Sequence, residues 1–342
     1  MKAIFFKEHG GADKLIYGDR PTPRPAPHEV LLRVKACALN HLDIWVRAGI
    51  PGLPIPLPHI PGSDVAGVVE KTGALVTTVS EGDKVMVAPG LSCGECDDCL
   101  LGQDHLCSTF DILGQTHDGG CAEYIAVPAA NLIPIPDPLG FEEAASFPLV
   151  FLTAWHMLVT LAKIKPGETV LVHAAGSGVG IAAIQVAKLW GARVLTTVGT
   201  DAKAAKAKAL GADEVINYAK KDFAKETRAL TDKRGVDIVV EHIGQDTFEK
   251  SVLSLARNGR LVTCGSTSGR QIQFDLRTFF SRNLTIHGSR MGTRRGLDEA
   301  VRFLAAKRLR PVVDKVFPLK KAAEAHVYME ERKNFGKIVL SV

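Results

Sequence analysis

Apolar residues in the first 150 positions come in short runs, VLLRV at 30–34 and VAGVV at 65–69 among them, broken by prolines and glycines. Runs of that length ended by turn-forming residues predict an antiparallel, β-rich domain. Residues 51–61, PGLPIPLPHIP, carry too many prolines for a ladder or a helix, because each ring fixes φ and removes an N–H donor. They predict an ordered loop leading into the strand at Val65.

The pattern changes near residue 150. Strands are predicted at 169–173, 193–198, 214–216, 236–241, 260–264 and 284–287, with helices at 179–189 and 201–210 and further helical stretches between the later strands. Alternation of that kind predicts a doubly wound parallel sheet. The final residues return to short elements, a helix at 297–306 and a strand at 337–341 that should pair with the N-terminal domain. The expected division is 1–150 with 287–342 as one domain and 151–286 as the other.

Composition narrows the function. A chain of 342 residues that is 46% hydrophobic and 23% charged can bury a large core and is not disordered. The formal charge of +5 is spread thinly, which argues against nucleic-acid binding. The start, MKAIFFKEHGGADKL, has no apolar leader, and no later run reaches membrane-spanning length, so a cytoplasmic location is expected.

Two motifs carry chemistry. Residues 93–107, CGECDDCLLGQDHLC, place Cys93, Cys96, Cys99 and Cys107 at C-x2-C-x2-C-x7-C spacing. Four thiolates fill all corners of a tetrahedral zinc site and leave none for water or substrate, so the site should be structural. A ferredoxin-type cluster would place the fourth cysteine sooner and follow it with proline; here Ser108 follows. The other cysteines, Cys37, Cys121 and Cys264, stand in apolar surroundings and read as buried free thiols in a reducing compartment.

The second motif is HAAGSGVG at 173–180, between the first strand of the sheet and its helix. Ala175, Gly176, Ser177, Gly178, Val179 and Gly180 let backbone approach a pyrophosphate, to which the helix N-terminus presents N–H groups and positive dipole. Ala175 and Ser177 replace the first two glycines of the usual fingerprint, and Gly180 matches the third. At the end of the second strand stands Val198-Gly199-Thr200, not the carboxylate that holds an NAD ribose. Thr200 and Lys203 could receive a 2'-phosphate, which favours NADPH over NADH; Asp201 reads as a helix N-cap.

With these motifs and the stretches ALNHLDIWVRAG (38–49), GGCAEYIAVPAANL (119–132), FPLVFLTAWHML (147–158) and TVGTDAKA (197–204), the chain resembles the medium-chain dehydrogenase/reductase superfamily along essentially its whole length. The cysteine lobe is similar to the structural zinc lobe of its alcohol dehydrogenases, and the other stretches to its quinone oxidoreductase branch. The resemblance implies a GroES-like β-rich catalytic domain, with a zinc lobe near 90–110, joined to a Rossmann domain. It also implies that Lys203 and Tyr218 lie near the adenosine 2'-phosphate, that Thr153 lies near the nicotinamide, and that the sheets pair edge to edge near Leu284 into a homodimer, with a tetramer as the alternative.

Where the resemblance breaks is informative. Asn40, Ser63 and Leu149 stand where the alcohol dehydrogenases carry their cysteine, histidine and cysteine ligands to a catalytic zinc, and Asp64 stands for a glutamate. An amide, a hydroxyl and an alkyl group do not hold zinc, so one structural zinc and no catalytic one is expected. That arrangement suits NADPH-dependent hydride transfer to an activated C=C bond (enone, enal or enoyl thioester) or a quinone. In the pocket, Asn40 could contact the nicotinamide ribose or a substrate carbonyl, or be a structural turn amide. His41 could relay a proton or be fixed by hydrogen bonds, with Asp43 orienting it, and Trp45 could line the pocket or fill the core. His59 and His156 read as structural. Two other readings stay open: an alcohol dehydrogenase with zinc rebuilt on His41, Asp43, Asp64 or His59, and a low-activity nucleotide-binding protein of crystallin type. Arg290, Arg294 and Arg295 could bind phosphate or form a basic surface turn.

Overall fold

A computed structural model describes every residue from Met1 to Val342. The chain divides into two compact units, 1–149 with 293–297 and 310–342, and 150–292 with 298–309. The expected division therefore shifts at its second boundary, since most of 287–309 belongs with the second unit. Aromatic packing accounts for part of this: Phe303 lies 5.5 Å from Trp155, which meets Trp190 edge-on at 5.1 Å.

The first unit is built on a seven-stranded sheet. Strand Glu29–Ala38 pairs antiparallel with Asp64–Thr72, with Tyr124–Pro128 and with Lys337–Ser341, and the last of these pairs in parallel with Val313–Pro318. Strands Lys84–Val87 and Leu132–Pro134 extend the sheet beyond Asp64–Thr72. Alternation along Glu29–Ala38 buries Val30, Leu32 and Val34, which join Val65, Val85 and Ile338 in one core. Each such side chain contributes roughly 1.5–3 kcal/mol by leaving water. The register matters for the chemistry, because Ala38 is opposite both Asp64 and Val339. Residues just beyond the pairing, Asn40 and Lys337, are thereby drawn to Asp64.

The second unit is an all-parallel six-stranded sheet. In chain order its strands are β1 (Thr169–Val172), β2 (Arg193–Val198), β3 (Glu214–Asn217), β4 (Val236–Glu241), β5 (Leu255–Thr263) and β6 (Thr285–Gly288), and their spatial order is 3-2-1-4-5-6. Val170, Leu171, Val172, Ile238, Val239 and Val240 are fully buried, as near-continuous apolar strands covered on both faces must be. The reversal of direction between β1 and β4 is where such sheets bind nucleotides, outside the carboxyl ends of the strands. No helix is long and apolar enough to cross a membrane.

Candidate functional site

One candidate site lies in the first unit, at the end of strand Glu29–Ala38. Asn40 opens helix His41–Ala48 as its N-cap, and Asp43 reaches back to accept from the Asn40 backbone N–H at 2.7 Å. The other Asp43 oxygen accepts from Gly62 N–H at 2.9 Å. Gly62 stands at φ +111°, and a Cβ there would meet the Cys37 and Cys121 sulfurs at 2.7 and 2.8 Å, so only glycine lets the chain pass. Burial pushes the Asp43 carboxyl up to about 6, against the opposing pull of the Asn40 amide and Lys337. Asp43 therefore fixes the backbone on both sides of this turn. His41 itself is exposed and stands 6.3 Å, ring to ring, from the partly exposed Trp45, which is not a core residue.

Next to this turn is a buried group of polar side chains whose central member the sequence did not single out. The Lys337 ammonium donates to Asn40 Oδ1 at 2.6 Å and to Asp64 Oδ2 at 2.9 Å. Asn40 Nδ2 donates to Asp64 Oδ2 at 3.0 Å, and the Leu149 N–H donates to Asp64 Oδ1 at 2.9 Å. Lys337 is 4% exposed and Asp64 fully buried. The Asn40 amide is thus held by protein partners, as the second of its two sequence readings, a structural turn amide, has it. Two of the three ammonium donors are used. Ser63, between Gly62 and Asp64, is fully buried, and its Oγ has no hydrogen-bond partner. A buried hydroxyl left in that state costs about 1–3 kcal/mol. A lysine opening the apolar run KIVLS, just after a glycine, was the available signal for Lys337.

A second candidate site, in the second unit, is the loop after β1. Ser177 caps helix Gly178–Leu189, its Oγ accepting from Gly180 N–H at 2.9 Å. A Cβ on Gly180 would lie 2.3 Å from the Ala174 carbonyl oxygen, so the third glycine of the motif is enforced by close approach of loop and helix. Ala175, Gly176 and Val179 complete this turn, and the Ala175 N–H is tied to the Thr197 carbonyl at 2.9 Å. Beneath the loop sits a network that sequence reasoning missed. His173 meets Thr197 Oγ1 at 3.2 Å and Ser251 Oγ at 2.8 Å, and Ser251 and Thr247 both donate to the buried Glu241. Burial alone would raise the Glu241 carboxyl; the His173 ring, the Ser251 hydroxyl and the Ile243 N–H hold it below its usual range. Burial lowers His173 and His242 in turn. The sequence signal was an acid ending an otherwise apolar strand.

At the carboxyl end of β2, Thr200 is the N-cap of helix Asp201–Ala209, accepting from Lys203 N–H at 3.3 Å. Asp201 is the first helical residue and not the cap. Its carboxylate takes Lys220 at 2.6 Å and Asn217 at 2.7 Å, and those two partners lower it. Tyr218 lies over Gly199, where a Cβ would come within 2.8 Å of the phenol oxygen. Thr200, Lys203 and Tyr218 thus collect at one strand end. Thr153 is buried in helix Pro148–Trp155.

The sulfurs of Cys93, Cys96, Cys99 and Cys107 lie within 4.8 Å of one another, with Cys93 at 3.9 Å from Cys99 and 3.6 Å from Cys107. Four thiolates about 2.3 Å from a tetrahedral zinc stand about 3.8 Å apart, so the spacing fits. Cys37 and Cys121 are buried 3.7 Å apart, as expected, whereas Cys264 is partly exposed. His59 is structural, buried with Nε2 3.0 Å from the Gly114 carbonyl. Arg294 anchors the first unit through the Ala130 and Leu132 carbonyls, while its N–H reaches Asp104 at 3.1 Å, and this commits it away from phosphate.

These features define a two-unit oxidoreductase with a doubly wound parallel sheet and a β unit that carries a four-cysteine lobe. Residues 26–137 match the alcohol dehydrogenase GroES-like domain and residues 178–306 the zinc-binding dehydrogenase family. The chain is 30% identical to human (Homo sapiens) quinone oxidoreductase, covering 95% of this chain and 93% of that one. It is 34% identical to a 2-haloacrylate reductase from Burkholderia sp, covering 99% and 98%. A solved NAD-dependent alcohol dehydrogenase is 48% identical over all of both chains, with a TM-score of 0.97. The chain belongs to the medium-chain dehydrogenase/reductase superfamily and is an enzyme of that oxidoreductase class, with the GroES-like and Rossmann domains expected from its sequence.

Proposed function

We propose that the protein is an NADPH-dependent reductase acting on a carbon–carbon double bond conjugated to a carbonyl (enone, enal or enoyl thioester) or on a quinone, with one structural zinc in the cysteine lobe and none at the reacting centre. The observation that carries this reading is the buried Lys337 ammonium on Asp64 and Asn40. In the position where alcohol dehydrogenases hold a cationic metal, this chain presents an amide, a hydroxyl and an alkyl group, and its nearest carboxylate is already neutralised by an ammonium. The rebuilt-zinc alternative has less support, because Asp43 and Asp64 spend their oxygens on protein donors and His59 on Gly114. Bound NADPH would supply the hydride. A substrate activated by its own carbonyl needs only donors for the charge that builds on that oxygen, and Ser63 Oγ with the remaining Lys337 N–H are the groups we assign to it. Trp45 offers an apolar wall, and Thr153 is assigned to the nicotinamide side.

NADPH is favoured because Thr200, Lys203 and Tyr218 gather at the β2 end while Asp201 is taken by Lys220 and Asn217. One related structure is an NAD-dependent alcohol dehydrogenase, so cofactor choice rests here on this chain's own residues. A cytoplasmic location suits seven cysteines that form no disulfide, and a homodimer would cover the edge of β6. Small molecules are the expected substrates, with no nucleic acid or membrane involved.

The test is metal content on purified protein together with NADPH oxidation against a short enone, a quinone and an aldehyde. One zinc per chain with enone or quinone turnover supports the reading. Two zincs, or turnover of the aldehyde alone, would refute it. Cys96→Ser or chelation should lower stability while protein that remains folded keeps its turnover.

A further inference from the structure

The carboxyl ends of the parallel strands carry the cofactor loop; their amino ends carry something else. The segments that lead into β4 and β6, together with the start of β5, line an open pocket of about 570 Å³ with Arg228, Lys233, Arg234, Ala256, Arg257 and Arg282. Five of these six residues are cationic and none is acidic. Arg234 is paired with Asp237, which also accepts from the Thr169 N–H.

The cations are held in place by the backbone. Arg228 donates to the Lys233 carbonyl, and Lys233 N–H returns to the Arg228 carbonyl at 2.7 Å. Arg257 donates to the Ser281 carbonyl at 3.3 Å, and Asn258 N–H donates to the Arg282 carbonyl at 2.8 Å, which locks the β5 and β6 turns together. Lys233, Asn258 and its counterpart Asn283 take positive φ at these turns, so the chain bends sharply to bring the side chains to one place. Burial, and then repulsion from Arg228 and Arg257, depresses the Arg282 guanidinium below its ordinary range. Like charges gathered this way destabilise the empty protein, and an anion between them removes the penalty.

We propose that this cavity is a binding site for an oligophosphate, either inorganic or the phosphate tail of a nucleotide, separate from the cofactor loop and at the opposite end of the same sheet. Guanidinia match phosphate oxygens in planar, two-pronged pairs, and one phosphate cannot satisfy several convergent arginines, so a chain of two or three is the fitting ligand. The inference does not depend on which substrate the enzyme reduces.

The test is calorimetric titration of the full chain, presaturated with NADPH to fill the cofactor site, with inorganic triphosphate and separately with ATP, at about 0.15 M salt where diffuse attraction is screened. One saturable site is expected, with affinity for triphosphate at least about tenfold weaker in Arg257→Ala and in Arg282→Gln. Both variants should bind NADPH as the parent does, which also verifies that they are folded. Without ligand, Arg282→Gln should melt no lower than the parent and at low salt higher, because a repelled charge is gone. Equal affinity for triphosphate and ATP would assign recognition to the phosphates alone; tighter ATP would assign a nucleotide. Absence of saturable binding, or equal binding in the parent and both variants, overturns the proposal.

Discussion

Replacing Lys337 with methionine tests the reading of the first unit's site most directly. The ammonium sits 2.9 Å from Asp64 and 2.6 Å from Asn40, with lysine and aspartate almost wholly shielded from water. Removing one member of a buried pair leaves the other charge uncompensated, at about 3–5 kcal/mol. Asp64 keeps the Asn40 and Leu149 donors, which places Lys337→Met near the lower end, about 3 kcal/mol. Asp64→Asn alone should cost a similar amount by stranding the ammonium. Together the two changes remove both charges, and the pair should recover at least about 2 kcal/mol relative to the sum of the singles. Amide hydrogen exchange in strands Glu29–Ala38 and Asp64–Thr72 reads the stability of this unit without interference from the other. Singles that leave exchange unchanged, or a double variant that costs the sum of the singles, would mean that the ammonium does not hold Asp64, and the argument for a cation-satisfied, metal-free centre would fall.

Three other outcomes are expected. Lys203→Ala should weaken NADPH by about tenfold and NADH hardly at all, measured by nicotinamide fluorescence; equal losses would remove Lys203 from the 2'-phosphate. Gly180→Ala should abolish tight binding of either cofactor and cost about 2 kcal/mol or more, because its methyl has 2.3 Å to the Ala174 oxygen; cofactor affinity matching the parent's would refute the close approach. Asp43, raised to about 6 from 3.8, binds its proton more tightly folded than unfolded, so its burial penalty is full above pH 6 and relieved as pH falls toward 4. Stability of the parent minus that of Asp43→Asn should therefore rise by up to about 3 kcal/mol over that fall in pH, and a flat difference in denaturation midpoints would contradict it.

What could be read from the sequence was local. The cysteine lobe spans fifteen residues of chain, and the strand–glycine–helix turn at 173–189 fewer than twenty, so spacing alone indicated both. The alternation of the parallel sheet and the terminal strand at 337–341 were legible for the same reason. Lys337 was not, because it meets Asp64 across 273 residues and Asn40 across 297, and only strand register brings them together. Asp43 was seen, but its bonds to the Asn40 and Gly62 backbone N–H groups were not, because Gly62 is nineteen residues away in the chain. The His173–Ser251–Glu241 network and the arginine cavity likewise join segments that no periodicity connects.

The pairing of Lys337–Ser341 with Glu29–Ala38 has a consequence for the order in which the molecule is made. Strands Glu29–Ala38 and Asp64–Thr72 leave the ribosome about 270 residues before their partner, with the second unit translated in between. At about 5–20 residues per second that interval is roughly a quarter of a minute to a minute. Throughout it, the nascent sheet has an open flank and Asp64 has no ammonium. Any factor that shields early strands on the ribosome should thus govern the yield of this chain, and a slow codon just before Lys337 should prolong the exposure.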